Sequence, residues 1–272
     1  MEKLLLPSKV EIQEGSNPNT ASLVVTPCYH GYGTTLGNAL RRVLLSSLPG
    51  AAVESFKIKG AQHEFSAVPG IKGDVVELSL NLKQLIVRVY SDDPVVLTLS
   101  KNGIGEVTAK NIAKNAQVDI INPDLVLATI TDKNNTLEME ILVGRGRGYK
   151  PVEEKDKHSQ NLGTIMIDSI YTPVKDVGYV VEYTRVGDIT NYERLTVNVE
   201  TNGTISPADA LKQSVQILID HFNIIMDAAN QSPTVVESEA IEKEVEEEIP
   251  VETLGSTEEA AEEKTKKKSK KK

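Results

Sequence analysis

The chain has 272 residues, a formal net charge of -9, one cysteine and no tryptophan. The single thiol of Cys28 excludes an internal disulfide, and it lacks the cysteine partners of a structural zinc or iron–sulfur site. The acidic total argues against a surface that binds nucleic acid throughout. Without a signal-peptide core or ~20 consecutive apolar residues, we expect a cytoplasmic protein with no membrane contact.

The first predicted helix covers residues 35–48. Thr34 or Thr35 can cap its start, and Pro49-Gly50 is expected to end it. Apolar residues recur along one helical face at Leu36, Ala39, Leu40, Val43, Leu44 and Leu48. The glycines at residues 31–37 precede this helix, but they match neither GxGxxG nor GK[ST], so a nucleotide site is not expected.

Arg41 and Arg42 interrupt the apolar pattern of this helix. At least one of them must lie near the buried edge, where a guanidinium needs a carboxylate or carbonyl partner. That partner can belong to the same chain or to a docking protein, and the sequence leaves both interpretations open.

Short Val- and Ile-rich segments follow, and no helical pattern separates residues 51 and 171. The alternation of Glu, Leu, Ser and Leu at 77–80 is typical of a strand with one face in water. We expect a mostly antiparallel β-rich unit here. Strands are predicted within residues 22–26, 52–60, 75–90, 95–99, 136–143, 163–170, 179–186 and 194–201.

The glycine–arginine stretch VGRGRGY (143–149) is followed by Lys150. Alternating arginine and glycine next to an aromatic residue can contact phosphates and stack on bases. A flexible loop whose arginines form ion pairs explains the same residues. Both interpretations stay open.

The second predicted helix runs from Ser206 to about Asn230, with Ser206 as its N-cap and Pro207 at its first position. Steps of four and three residues separate the apolar positions Leu211, Val215, Leu218, Phe222, Ile225 and Ala229. Further isoleucines widen this stripe, so the helix must be covered from two directions. One cover is the sheet of its own chain, and the other is a candidate second subunit.

The charge of the last forty residues is divided into two blocks. Residues 234–263 contain twelve Glu and one Lys, and residues 264–272 contain seven Lys and no acid. This segment has too little apolar surface to offset the entropy of ordering, so residues 233–272 are predicted to be disordered. The lysines are either a solubilising, self-neutralising end or an electrostatic tether to DNA or RNA.

The predicted fold class is α+β, with two helices on an antiparallel sheet and an inserted, mostly antiparallel β-rich domain. Residues 1–50 and 173–232 are expected to form one discontinuous domain, and residues 51–172 the insertion. The four histidines show no metal-ligand spacing, and no nucleophile–base constellation is evident. The residues describe a binding scaffold without catalytic residues, cofactor or metal.

GYGTTLGNALRRVLLSSLPGAAV (31–53) resembles the N-terminal region of the bacterial RNA polymerase α subunit. The resemblance continues in order from about residue 3 to residue 230. It is carried by VPGIKGDVVELSLNLKQLIVRV (68–89), VGRGRGYKP (143–151), IDSIYTPVKDVGYVVEYTRVG (167–187) and LTVNVETNGTISPADAL (195–211).

The resemblance implies a homodimeric platform on which the β and β′ subunits assemble, joined in the holoenzyme by omega and sigma. The nucleotidyltransferase chemistry and its magnesium belong to the large subunits. The resemblance places β docking at Arg42 and Leu45, β′ docking at Lys83, and further assembly contacts at Pro173, Asn202 and Gly203. The implied dimer interface comprises Leu36, Leu40, Val43, Leu44, Leu211, Val215, Leu218, Phe222 and Ile225.

The charged tail departs from the family pattern, in which a linker leads to a small helical domain that binds promoter DNA and activators. We expect this domain to be missing, with any DNA contact indirect or weak through the Lys-rich end. The alternative function is a non-specific nucleic-acid-binding protein that acts through VGRGRGYK and the lysines.

Overall fold

The computed structural model describes residues 6–155, 163–187 and 189–230. Residues up to Ile225 form one compact unit, and a second unit begins at Met226. The charged tail of the sequence prediction, including the lysines of 264–272, lies outside the described residues. Within the described ranges, no helix combines the length and apolarity needed to span a bilayer.

Three α-helices, two 3-10 turns and fifteen strands make up the described chain. The helices are α1 (Tyr32–Ser46), α2 (Val75–Lys83) and α3 (Pro207–Asn230), and the turns are Ala109–Asn111 and Val152–Glu154. The strands are β1 (Lys9–Glu14), β2 (Thr20–Cys28), β3 (Pro49–Ile58), β4 (Ile71–Lys72), β5 (Val87–Val89), β6 (Val95–Asn102), β7 (Gly105–Thr108), β8 (Val118–Ile120), β9 (Val126–Ile130), β10 (Thr136–Arg147), β11 (Tyr149–Lys150), β12 (Thr164–Met166), β13 (Ser169–Ile170), β14 (Val174–Val186) and β15 (Ile189–Thr201).

Antiparallel pairing dominates the described sheets. One four-stranded sheet has the order β1-β2-β15-β14, and the other has the order β12-β3-β10-β6. Three small sheets pair β4-β9-β7, β11-β13 and β5-β8. The α+β class predicted from the sequence is confirmed.

Two hydrophobic cores lie in the compact unit. The first core is formed by residues between Val53 and Ile167, where α2 packs with the β12-β3-β10-β6 sheet. The second core is formed by chain segments on both sides of that range, where α1 and the start of α3 pack with the β1-β2-β15-β14 sheet. The predicted domain limits at 50/51 and 172/173 remain a prediction.

A carboxylate from strand β15 caps the N-terminus of α1. Both oxygens of Glu193 on β15 accept backbone hydrogen bonds, at 2.8 Å from the Gly31 nitrogen and 2.9 Å from the Gly33 nitrogen. The predicted caps Thr34 and Thr35 are wrong, because α1 begins at Tyr32. A negative group at this end satisfies free N–H donors and complements the helix dipole.

The glycines at the start of α1 allow a close approach to the sheet. A β-carbon on Gly37 would lie 2.6 Å from the Tyr179 ring, and one on Gly33 would lie 2.8 Å from Glu193. Contacts shorter than 3 Å require the neighbouring atoms to move. These two glycines are therefore explained by helix–sheet packing, and a chain carboxylate already binds the helix N-terminus.

Helix α2 corrects the strand prediction for residues 75–83, whereas Val87–Val89 form the strand β5. The Asp74 carboxylate accepts a hydrogen bond from the Glu77 nitrogen at 2.9 Å, which caps the helix. Val75, Leu78 and Leu82 are buried on one helical face. The alternation at 77–80 was too short to distinguish a strand from a helical turn, and the N-cap carried the decisive local signal.

The chain passes between the two cores twice, and the two connecting segments contact each other at Gly50 and Tyr171. A β-carbon on Gly50 would lie 1.8 Å from the Tyr171 carbonyl oxygen. Tyr171 is fixed there by hydrogen bonds from its nitrogen to Gly148 and from its hydroxyl to Glu54, at 2.9 and 2.7 Å. Burial and the Glu54 hydrogen bond raise the pKa of Tyr171 to about 12, so the phenol stays a donor at neutral pH.

Gly50→Ala should destabilise the fold by about 1–3 kcal/mol, the usual cost of overpacking, because the Tyr171 carbonyl must move. Gly178→Ala is the matched control, since a β-carbon on that strand glycine meets no atom within 4 Å. Urea unfolding of both variants measures the difference. Equal stability of the two variants would contradict the assigned crossing.

Candidate docking surfaces

Helix α3 carries an exposed apolar face. Val215, Ile219, Phe222, Ile224 and Ile225 are each at least 40% exposed, and Phe222 reaches 63%. From Ile219 onward every residue of α3 is exposed. An exposed helix segment with this many large apolar side chains is typical of a surface covered by another protein.

The residues proposed for the dimer interface divide into two groups. Leu40, Leu44 and Leu211 are buried in the second core, and Leu44 has no exposed surface. Leu218 is half-buried against the same core, and Val43 is half-buried as well. The surface available to another chain is therefore formed by Leu36, Val215, Phe222 and Ile225, with Ile219 and Ile224 as additions.

Both arginines of α1 are exposed, and neither forms an ion pair within the described part of the chain. The backbone carbonyl of Arg42 accepts a hydrogen bond from Ser46 Oγ at 2.8 Å. Leu45 is half-buried against the second core. The sequence left open whether the arginine pair binds its own chain or a docking protein. The described contacts favour the second interpretation, because the guanidinium of Arg42 is available to another protein.

Residues 143–147 of the glycine–arginine stretch belong to strand β10, so the flexible loop of one of the two open interpretations is not found there. Residues 143–147 pair with residues 49–53 of β3. Arg145 forms an ion pair with Asp92. The stretch is thus part of a sheet, and one of its two arginines already has a carboxylate partner.

An open cleft of about 510 Å³ lies between the two cores. Two lysines and three amides line it together with aliphatic side chains, and no carboxylate does. The lining residues are Ala51, Lys83, Gln84, Leu85, Ile86, Asn122, Leu125, Ile170, Thr172, Val174, Lys175 and Asn202. We call this the docking cleft, since it contains Lys83 and Asn202 and the residues on both sides of Pro173.

Lys83 meets Asp168 at the edge of the docking cleft. Its Nζ donates to Asp168 Oδ2 at 2.7 Å, and both side chains are 28% exposed. The other carboxylate oxygen accepts a hydrogen bond from the Val152 nitrogen at 3.0 Å. The hydrogen bond from Lys83 holds the pKa of Asp168 below its usual range. Lys83 also ends α2, where a cation complements the helix dipole.

Pro173 and Asn202 are joined directly. The Asn202 nitrogen donates to the Pro173 carbonyl at 2.9 Å, and the Asn202 side chain accepts from the Thr204 nitrogen at 2.9 Å. The Arg88 guanidinium donates to the Thr204 carbonyl and so links the two cores. Gly203 has a φ of +91°, which favours glycine at this turn. Pro173 itself is buried, so its neighbours form the cleft wall.

A family model described as "RNA polymerase Rpb3/RpoA insert domain" matches residues 56–172. The chain is 47% identical to the DNA-directed RNA polymerase subunit alpha of Oceanobacillus iheyensis over 86% of this chain and 75% of the relative. It is 49% identical to the subunit alpha of Desulforamulus reducens over 87% and 76%, respectively. The chain belongs to the bacterial RNA polymerase alpha-subunit family. A third member, from Symbiobacterium thermophilum, is 46% identical over 86% of this chain.

Sequence reasoning missed two polar residues that line the docking cleft, Asn122 and Lys175, and also Asp168 at its edge. Asp168 lies 85 residues from Lys83, and nothing in the local pattern connects the two. Asn122 fixes the chain after α2, because its side chain accepts from the Ile86 nitrogen and donates to the Gln84 carbonyl, both at 2.9 Å. Lys175 lies two residues after Pro173, and this proximity was the one available signal.

No group of three histidine, cysteine, aspartate or glutamate side chains comes together to hold a metal ion within residues 6–155, 163–187 and 189–230. Cys28 is buried in the second core, and desolvation raises the pKa of its thiol.

Lys83→Met should raise the pKa of Asp168 toward its ordinary value, because it removes the hydrogen bond that lowers it. The folded carboxyl has the lower pKa, so the pair stabilises the protein above the ordinary aspartate pKa. That stability is lost as the pH falls through the folded value. Carboxyl ¹³C NMR titration of both proteins measures the pKa.

Lys175→Met is the control for this titration, because Lys175 lines the same cleft and forms no ion pair with Asp168. We expect the Asp168 pKa to stay low in that variant. An Asp168 pKa that is the same in Lys83→Met as in the wild type would refute the assigned pairing.

Proposed function

We propose that the chain is a non-catalytic subunit of DNA-directed RNA polymerase, a homodimer on which the β and β′ subunits assemble. The observation that carries the proposal is the exposed apolar face of α3, which needs a covering surface. Membership of the alpha-subunit family supports the assignment to this enzyme.

The dimer is proposed to form through α3 and the exposed side of α1. Leu36 on α1 is 37% exposed, and Phe222 and Ile225 on α3 are each 63% exposed. A twofold-symmetric dimer brings the same patch of both copies together, which covers these side chains without a further protein. The buried residues Leu40 and Leu44 support the interface from below.

The two large subunits are proposed to use different surfaces. Arg42 offers β an exposed guanidinium with five donors on the rigid helix α1. The docking cleft offers β′ the ammonium groups of Lys83 and Lys175 beside aliphatic walls. Lys83 is already paired with Asp168 at the edge of the cleft, whereas Lys175 forms no ion pair among the described residues, so the cleft favours a β′ segment that carries acidic or amide side chains next to apolar ones.

Omega and sigma join through the assembled large subunits, and we place the magnesium-dependent nucleotidyl transfer in those subunits as well. DNA contact by this chain is proposed to be indirect or weak, and the place of action is the cytoplasm. A pull-down of the chain from its native source with mass spectrometry tests the assignment. Recovery of β and β′ supports it, and their absence from a wild-type pull-down argues against it.

Phe222→Asp should dissociate the homodimer, because it buries an unpaired carboxylate in the interface. We expect the dimer dissociation constant to rise by about a hundredfold or more, since such burial costs several kcal/mol. Sedimentation velocity across a concentration series measures the change. Asn223→Asp adds the same charge to the neighbouring exposed position and should leave the dimer intact.

Arg42→Ala should weaken capture of β about tenfold, the typical effect of losing a charge-assisted hydrogen bond, while the α dimer stays folded. Arg41→Ala is the matched control, because Arg41 is also exposed on α1. Binding of purified β to each dimer measures the effect. Aggregation of Arg42→Ala, or an equal loss with Arg41→Ala, would count against a specific role for Arg42.

A further inference from the structure

Lys155 is a buried lysine beside the docking cleft, with a residue exposure of 8%. Its Nζ donates to the Glu54 carbonyl at 3.0 Å, to Ser169 Oγ at 2.6 Å and to the Ile167 carbonyl. Lysines are rarely buried unless they are fully paired, because removing the ammonium from water is costly. Three acceptors around one amine therefore indicate that the fold forms a specific binding site for this side chain.

The hydrogen-bond directions require the ammonium form. The Ser169 hydroxyl donates to the Val53 carbonyl at 2.7 Å, so its oxygen accepts from Lys155. Three acceptors use all three N–H bonds, and a neutral amine has only two. The pKa of Lys155 is lowered overall: burial lowers it most, the charges of Glu54 and Asp168 oppose this, and the charges of Lys150 and Lys83 add to the lowering. The three hydrogen bonds compensate for the desolvation of the ammonium group and so stabilise the cation in the interior.

One of the acceptors is supplied by a β-bulge. In the pairing of β3 with β10, Ser55 lies opposite Leu142 and Val53 lies opposite Val143, so Glu54 has no partner in the register. A bulge leaves one residue outside the ladder, and its carbonyl needs another donor. The Glu54 carbonyl accepts from the Ile167 nitrogen at 3.3 Å and from Lys155 Nζ at 3.0 Å, so the ammonium is a second donor to it.

The other two acceptors flank Asp168, the partner of Lys83. Lys155 binds Ile167 on one side of Asp168 and Ser169 on the other. The 3-10 turn that leads into Lys155 also provides the Val152 nitrogen, which donates to the Asp168 carboxylate at 3.0 Å. One short segment thus holds both the backbone and the carboxylate of the aspartate that meets Lys83.

We infer that Lys155 is a positioning residue of the docking cleft: its buried cation fixes Ile167–Ser169 so that Asp168 orients Lys83 toward β′. This inference rests on the proposed docking function. Lys155 does not touch β′ itself, since it lies in the interior of the chain. It acts through the geometry of the Lys83–Asp168 pair.

The test replaces Lys155 by methionine in the full chain, which keeps a long apolar side chain and removes the cation. We expect Lys155→Met to raise the Asp168 pKa and to weaken capture of purified β′ about tenfold or more, the effect of a lost charge-assisted hydrogen bond. Lys57→Met removes an exposed lysine from β3 and should change neither quantity. Circular dichroism and urea unfolding report whether each variant folds.

Two further measurements keep the inference testable if Lys155→Met does not fold. In the wild-type chain, ¹⁵N-lysine NMR should show one ammonium whose protons exchange slowly with water, and rapid exchange at Lys155 would overturn the inference. Ser169→Ala removes a single acceptor and should raise the Asp168 pKa in the same direction. An unchanged Asp168 pKa in a folded Lys155 or Ser169 variant overturns it as well.

The Asp168 titration separates this inference from the proposed function. It is measured on the chain alone, so it tests Lys155 even if the wild-type chain captures no β′, an outcome that would overturn the docking function. Loss of β′ capture in Lys155→Met with an unchanged Asp168 pKa would overturn the positioning role while the docking function stands.

Discussion

Gly50 lies directly against the Tyr171 carbonyl, where the chain passes from one core to the other and returns. Only a residue without a β-carbon permits this approach, and hydrogen bonds from Tyr171 to Gly148 and Glu54 hold the crossing in place. The docking cleft is lined by residues next to the crossing, Ala51 and Thr172 among them. Its shape therefore depends on how closely the two connections can pack.

Buried and half-buried charges organise the surfaces on both sides of this crossing. Glu193 caps α1 from a strand of the second core and so fixes the helix that carries Arg42. Lys155 satisfies a bulge carbonyl in the first core and holds the chain around Asp168. In both cases a charge is kept in the interior by several backbone partners, which compensate for its desolvation. These charges hold the segments that carry the groups we propose for docking.

Local patterns predicted α1, α3 and most long strands, because each has a sustained apolar period. The strand predicted for residues 75–90 was wrong for residues 75–83, since four alternating residues fit both a strand and a turn of α2, and right for Val87–Val89, which form β5. The loop interpretation of residues 143–149, one of the two left open, fails for a different reason. Glycine and arginine favour loops locally, but pairing with β3 places residues 143–147 in a strand.

The sequence by itself determined the α+β class, the two long amphipathic helices and the family, because periodicity and specific strings are local properties of the chain. Only the tertiary structure decided which apolar residues remain on the surface: Leu44 is fully buried, whereas Phe222 is exposed. It also decided the partners of Lys83 and Lys155, which lie far away along the chain or on a neighbouring strand. A side chain's burial and its ion-pair partner depend on packing between distant segments, and no local pattern encodes that distance.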